Sequence, residues 1–162
     1  MKPIIKLLFC LAFVLLSVQN SIAQNNKERD LKKNIFSGNI GGTSSIIGIN
    51  YQRFIGNNLA IEFGLGLIGI GTGLTIYPKG VTGNGTRFYT GLKLSTVVLV
   101  DVGGGTVTYL PFGMTFFSDT PLIIGFDIGP AYGKLISSSF GGQTSETTNF
   151  YGFGNLKIGV RF

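Results

Sequence analysis

The stretch that most constrains this chain is 149–162, NFYGFGNLKIGVRF. At period two, one parity collects Phe150, Gly152, Gly154, Leu156, Ile158, Val160 and Phe162, and the other Tyr151, Phe153, Asn155, Lys157, Gly159 and Arg161. The first row has no polar side chain; the second holds both cations. A strand sorts its residues onto two faces in this way, whereas a helix scatters them around its axis, so the stretch reads as a strand with one apolar and one polar face. The alternation continues to Phe162 with no polar tail, although chain termini are usually solvated and loosely held. A strand that closes a membrane barrel by pairing with the first strand has a reason to stay apolar to its last residue.

The beginning of the chain reads as an export signal. Lys2 and Lys6 precede an uncharged apolar run over 7–18, too short to span a bilayer as a helix, and Ser21, Ile22 and Ala23 give a small-x-small cleavage pattern. Residues 1–23 are therefore expected to be a cleaved signal peptide, with Gln24 as the new N-terminus. Cys10, the single cysteine, lies inside the discarded run. The mature chain then has 139 of the 162 residues, no disulfide framework and a net charge lowered from +6 to +4. That excess is too mild to argue for nucleic acid. Residues 24–33 (QNNKERDLKK) read as a flexible polar leader, and 34–162 as one domain.

From residue 34 onward the helix period vanishes and strand-like segments alternate with turn residues. Eight are expected: 34–41, 45–55, 59–68, 72–78, 87–100, 106–117, 121–135 and 149–162. Each sorts its residues by parity. Leu59, Ile61, Phe63 and Leu65 oppose Ala60, Glu62, Gly64 and Gly66; Phe88, Leu92 and Leu94 oppose Arg87, Tyr89, Gly91, Lys93 and Ser95; Leu122, Ile124, Phe126 and Ile128 oppose Gly125, Asp127, Gly129 and Ala131. Pro111 and Pro130 remove ladder donors, and each predicts a bulge or a strand end. If the chain enters from the periplasm, the turns at 56–58, 79–86 and 118–120 share one end. The loops at 41–44, 69–71, 101–105 and 136–148 share the other, and the last of these is the longest.

Alternation alone fits two architectures, a soluble barrel with its apolar face inside and a membrane barrel with that face outside. The composition favours the second. Charged residues are 12% of the chain, against the roughly 25–35% that suits a water-facing surface. The polar rows carry charges of both signs, Glu62 and Asp127 with Arg87, Lys93, Lys157 and Arg161, and in a narrow interior these can pair. Of the 26 glycines, Gly64, Gly66, Gly91, Gly125, Gly129 and Gly159 recur on the same rows, where small residues leave room for Tyr, Lys and Arg. Eight strands of about 9–11 residues fit the length, and a barrel of that size has an interior filled by side chains. The expectation is an all-β, closed antiparallel up-and-down transmembrane β-barrel. Tyr51, Phe54, Tyr77, Phe88, Phe116 and Phe117, near strand ends, are expected to form interfacial aromatic girdles.

The runs Ile49-Asn50-Tyr51-Gln52-Arg53-Phe54, Leu74-Thr75-Ile76-Tyr77-Pro78 and Tyr109-Leu110-Pro111-Phe112-Gly113, followed by the GNLKIGVRF ending, resemble the small outer-membrane β-barrel proteins of Bacteroidota. The resemblance covers nearly all of the mature chain through short motifs. It implies an eight-stranded barrel in the outer membrane, surrounded by its lipid. It also implies delivery by the barrel-assembly machinery, with Val160 and Phe162 as the terminal apolar pair that this machinery reads. Lys157 stands where the family pattern often has glycine.

Little in the chain points to catalysis. There is no histidine, which removes Ser-His-Asp and Cys-His chemistry and the common histidine metal sites. Gly64-Leu65-Gly66-Leu67-Ile68-Gly69 satisfies G-x-G-x-x-G, but it lies within a strand, and no acidic residue follows at the required distance. Glu62 and Asp127 could form an acid/base pair. The plainer reading makes them part of a structural cluster of interior charges, Glu62, Arg87, Lys93, Asp127, Lys157 and Arg161, that sets strand register. No catalytic residue, cofactor or metal ligand is expected. The chain reads as a filled barrel with a structural, adhesive or accessory role. The alternatives are a narrow pore or transporter, a secreted soluble β-barrel binder and, last, a lipid-acting membrane enzyme.

Overall fold

The computed structural model describes residues 33–44, 46–99, 103–138 and 144–162. The expected signal peptide, its cleavage site and nearly all of the polar leader lie outside these residues. The strands are β1 (Asn34–Gly41), β2 (Ile47–Ile55), β3 (Leu59–Gly66), β4 (Gly69–Ile76), β5 (Gly85–Leu99), β6 (Gly103–Tyr109), β7 (Phe112–Phe117), β8 (Leu122–Ser138) and β9 (Thr144–Arg161). Every pairing is antiparallel. β6 and β7 occupy one lane, because each pairs with β5 on one side and β8 on the other. The lane is interrupted at Pro111, which has no N–H to give a ladder, and Leu110 N–H donates to Pro130 O across the gap at 3.0 Å. Counted by lanes, the sheet has eight members. It closes on itself, since β9 pairs with β1 from Ile35↔Arg161 to Gly41↔Asn155.

The parity rows of the sequence become the two faces of this ring. The apolar row is exposed: Leu67 and Phe150 at 80%, Phe88 at 67% and Ile128 at 65% are among its most open members. The polar row is buried, with Glu62 at 0% and Lys93 and Lys157 at 1%. The molecule is thus inverted relative to a water-soluble fold, whose exposed apolar patches rarely exceed a few hundred Å². Alternation produces this automatically, because successive Cβ atoms point to opposite faces of a strand.

One end of the ring has an ordinary oily core. Ile35, Phe54, Ala60, Tyr77, Val81, Tyr89, Phe117 and Ile123 pack together inside it. The Tyr77 ring centroid lies 5.6 Å from Phe54, 5.2 Å from Tyr89 and 6.2 Å from Phe117. Val81 reaches this cluster from the β4–β5 connection, held by hydrogen bonds from its N–H to Asn57 O (3.0 Å) and Asn57 Oδ1 (2.9 Å). The expected aromatic girdle is therefore corrected for three of its members. Phe54, Tyr77 and Phe117 fill the interior, while Phe88 and Phe116 face outward. Their parity explains the split, since Phe54 falls on the row of Asn50 and Gln52, and Phe117 on the row of Thr115.

The opposite end differs from the sequence expectation in three places. Residues 41–44 do not form an external loop. Gly41 (φ 86°) and Gly42 (φ 68°) adopt the left-handed region that glycine alone enters freely, and they turn the chain inward into a buried 3-10 turn, Gly42–Ser44. The expected loop 136–148 is instead mostly strand: β8 runs to Ser138 and β9 begins at Thr144, in register from Ser138↔Thr144 to Leu122↔Val160. Ser and Thr tolerate both states, and here the long hairpin holds them in the ladder. The turn expected at 69–71 also becomes strand, with β4 starting at Gly69. Pro130, expected to end or bulge a strand, stays within β8 because it lies opposite the β6–β7 break, where no ladder donor is required.

Candidate functional site

The interior midsection gathers the charges. Asp127 on β8 accepts hydrogen bonds from Tyr109 (2.6 Å), Asn155 (2.9 Å), Lys93 (3.2 Å) and Tyr89. Glu62 on β3 accepts from Thr43 (2.7 Å) and Thr75 (3.5 Å). Lys93 on β5 bridges the two acids, with its Nζ 3.3 Å from Glu62 and 3.2 Å from Asp127. Lys157 on β9 lies 4.7 Å over the Tyr89 ring and donates to Gln52 Oε1 at 3.5 Å. Gln52 in turn donates to the Tyr77 hydroxyl at 3.4 Å, which joins the polar midsection to the aromatic end.

The register explains why these long side chains fit. Glu62, Gly73 and Lys93 lie side by side across β3, β4 and β5. The glycine between acid and base leaves the floor clear, and a Cβ there would come within 2.9 Å of Lys93 Cγ. Thr115, Gly125 and Lys157 repeat the arrangement across β7, β8 and β9, where a Cβ on Gly125 would meet Lys157 Cε at 2.6 Å. Lys93 crosses Gly73 to reach Glu62, and Lys157 extends over Gly125.

Gly64 and Gly66 serve the inward turn. A Cβ on Gly64 would meet the Thr43 carbonyl carbon at 2.6 Å, and one on Gly66 would overlap Ser44 O. The 3-10 turn therefore lies directly on the ring wall and places the Thr43 hydroxyl on Glu62. The G-x-G-x-x-G run at 64–69 is this seat, with β4 and no helix following it.

The six charges singled out from the sequence do not form one group. Glu62, Lys93 and Asp127 are in contact, with Lys157 beside them. Arg87 is apart, donating to Thr82 O at 2.8 Å near the β4–β5 connection. Arg161 caps the aromatic end, its guanidinium 4.9 Å over Phe117 and 5.7 Å over Phe54, with a 3.1 Å hydrogen bond to Val81 O. Val160 and Phe162 face outward, and Phe162 exchanges two 2.9 Å backbone bonds with Asn34 where the ring closes. Sequence reasoning missed Tyr109, Asn155 and Thr43 as partners of the acids. Tyr109 and Asn155 were available from parity, since Asn155 shares the row of Lys157; the inward fold that delivers Thr43 was not.

Chemically the cluster is satisfied and closed. Each oxygen of both carboxylates has at least one donor, and among the described residues only Asn50 Oδ1 and Arg87 Nε are buried without a hydrogen-bond partner. No group of three His, Cys, Asp or Glu among the described residues could hold a metal ion. A buried carboxylate with several donors and a paired lysine is held as a fixed charge. No family model matches the chain, and neither a curated protein nor a solved structure matches it.

Proposed function

We propose that this chain is an integral outer-membrane protein, an eight-stranded barrel with a side-chain-filled interior and a structural, adhesive or accessory role. One observation carries the reading: the large apolar side chains form the outside of a closed ring, and the charges form its inside. Water would oppose that arrangement at about 25 cal/mol per Å² of apolar surface, whereas hydrocarbon reverses the sign. Closure supports the same reading, since a spanning sheet can leave no lipid-exposed edge. The interior supports a barrel that does not conduct, because the 3-10 turn fills one end and the aromatic cluster the other. The outward Val160 and Phe162 fit an assembly signal read from the last strand.

The test is refolding of the mature chain into lipid vesicles. The expected result is a compact form that migrates differently on gels before and after boiling and carries no current in planar bilayers. Recovery as a soluble monomer without detergent would contradict the membrane reading, and steady ion currents would contradict the filled interior.

A further inference from the structure

The outward rows of the ring carry almost no charge. Among the described strand residues, Arg53, Lys134 and Glu146 are the charged side chains that face outward. Lys134 and Glu146 pair with each other at 3.0 Å on the tall β8–β9 hairpin. Arg53 is different. It is exposed, it stands between Tyr51 and Ile55 on the outer row of β2, and no described residue gives it an ion pair or a hydrogen bond. A cation with no partner on an apolar face calls for an anion or for water.

The register sets a second donor beside it. Asn34 of β1 lies directly across from Arg53, on the same face. The Tyr51 hydroxyl donates to Asn34 Oδ1 at 2.7 Å, which holds the amide while no described residue accepts from its N–H groups. A guanidinium and an amide thus share one spot at the end of the ring that holds Phe162, whose backbone bonds to Asn34 at 2.9 Å.

Four residues further along β1 the same face is notched. Phe36 and Ile40 are large and outward, and Gly38 between them has no side chain. The groove over it has a volume of about 310 Å³ and is walled by Ile40, Ile47, Leu156 and Ile158. Nothing in the fold demands a glycine here. Its φ lies outside the left-handed region, and a Cβ would meet only Ile158 O, at 4.0 Å. Four residues of strand span about 13 Å. One leaflet takes about half of a hydrocarbon core roughly 30 Å thick. A lipid whose phosphate meets Arg53 therefore lays its acyl chain along β1, past Phe36 and into the groove.

We infer that Arg53, Asn34 and the Gly38 groove form a binding site for one phospholipid with a net anionic headgroup. The planar guanidinium matches two phosphate oxygens at once, and the Asn34 amide donates to a third acceptor of the headgroup. One acyl chain fills the groove. A zwitterionic lipid fits less well, because its own cation competes with Arg53 for the phosphate. The site rests on the membrane reading above and adds to it a preferred lipid at a fixed place.

The experiment refolds the chain from Gln24 in detergent micelles and adds dioleoyl phosphatidylglycerol or dioleoyl phosphatidylcholine, with retained lipids counted by native mass spectrometry. The expected result is one phosphatidylglycerol held at least about tenfold more tightly than phosphatidylcholine. R53Q is expected to bring phosphatidylglycerol down to the phosphatidylcholine level. G38L fills the groove without touching the backbone ladder; it is expected to keep the heat-dependent gel shift and to weaken phosphatidylglycerol binding about threefold or more. Equal retention of the two lipids, or an R53Q variant that binds like the parent, overturns the site. So does unchanged binding by G38L, which removes the groove from it, or displacement of the lipid by inorganic phosphate alone, which makes it a free-anion site. A chain that shifts on boiling but shows no lipid preference defeats this inference alone, whereas a chain recovered soluble without detergent defeats the membrane reading.

Discussion

The two ends of the ring interior solve the same problem in different ways. At the end holding Phe162, Phe54, Tyr89 and Phe117 from the strands and Tyr77 and Val81 from the β4–β5 connection make a small oily core. Toward the other end the space is filled by a polar backbone turn, seated on Gly64 and Gly66 and tied to Glu62 through Thr43, together with a second, smaller apolar cluster of Val107, Tyr109, Ala131 and Phe153. Between them stands the Glu62–Lys93–Asp127 bridge. The comparison teaches that an inside-out protein still has a core, but only part of it is held by burial of apolar surface. The rest is held by charges whose removal from water has already been incurred, so its tolerance to substitution should follow electrostatic rules.

The largest expected effect comes from breaking the bridge at its centre. K93M leaves two buried carboxylates without their cation and should cost about 3–5 kcal/mol, read as a lowered urea midpoint in vesicles. Adding E62Q and D127N to K93M should recover much of that loss, because the penalty belongs to the unpaired charges and not to the missing contact. A triple variant no more stable than K93M would show that the midsection is held by packing instead.

F117A addresses the oily end. It should cost about 3 kcal/mol through a cavity, with no rescue by changes in the midsection, since the two regions are held by different forces. G66V presses a side chain into Ser44 and should cost about 1–3 kcal/mol; hydrogen exchange should show the 3-10 turn loosened while β8 and β9 stay protected. If F117A and G66V both loosen the same amides, the two ends form one cooperative unit and the contrast between them is lost.

The smallest effect is expected at the surface. The Lys134–Glu146 pair has its side chains 46% and 57% exposed, and K134A should change stability by less than about 1 kcal/mol. A loss as large as that of K93M would mean that the tall hairpin is a structural keystone.

Much of this contrast was legible in the sequence, because period-two sorting names a face for every residue. That is why Glu62, Lys93, Asp127 and Lys157 could be placed together on one side of the sheet before their distances were known. Parity also held the correction for Phe54 and Phe117, but weighing aromatics by their nearness to strand ends hid it. Strand limits were less legible. Ser and Thr at 136–148 satisfy a loop and a ladder equally well, and only the facing arm of the hairpin decides. The inward turn was not legible at all. Gly41-Gly42-Thr43-Ser44 permits the chain to reverse in either direction, and the direction is chosen by space that Gly64 and Gly66 leave on a strand far along the sequence.

The most direct test of the inverted arrangement is depth-resolved quenching of single labels. Cys10 is the single cysteine of the chain, so a sample that begins at Gln24, the expected mature N-terminus, carries none. F126C and I158C place a fluorophore on the apolar row, and T148C places one on the tall hairpin. In vesicles, the expected result is strong quenching of the labels at 126 and 158 by lipids spin-labelled on their acyl chains, with aqueous iodide reaching only the label at 148. Iodide quenching at 126 and 158 without any effect of the spin-labelled lipids would contradict the account, since it would put water where hydrocarbon is required.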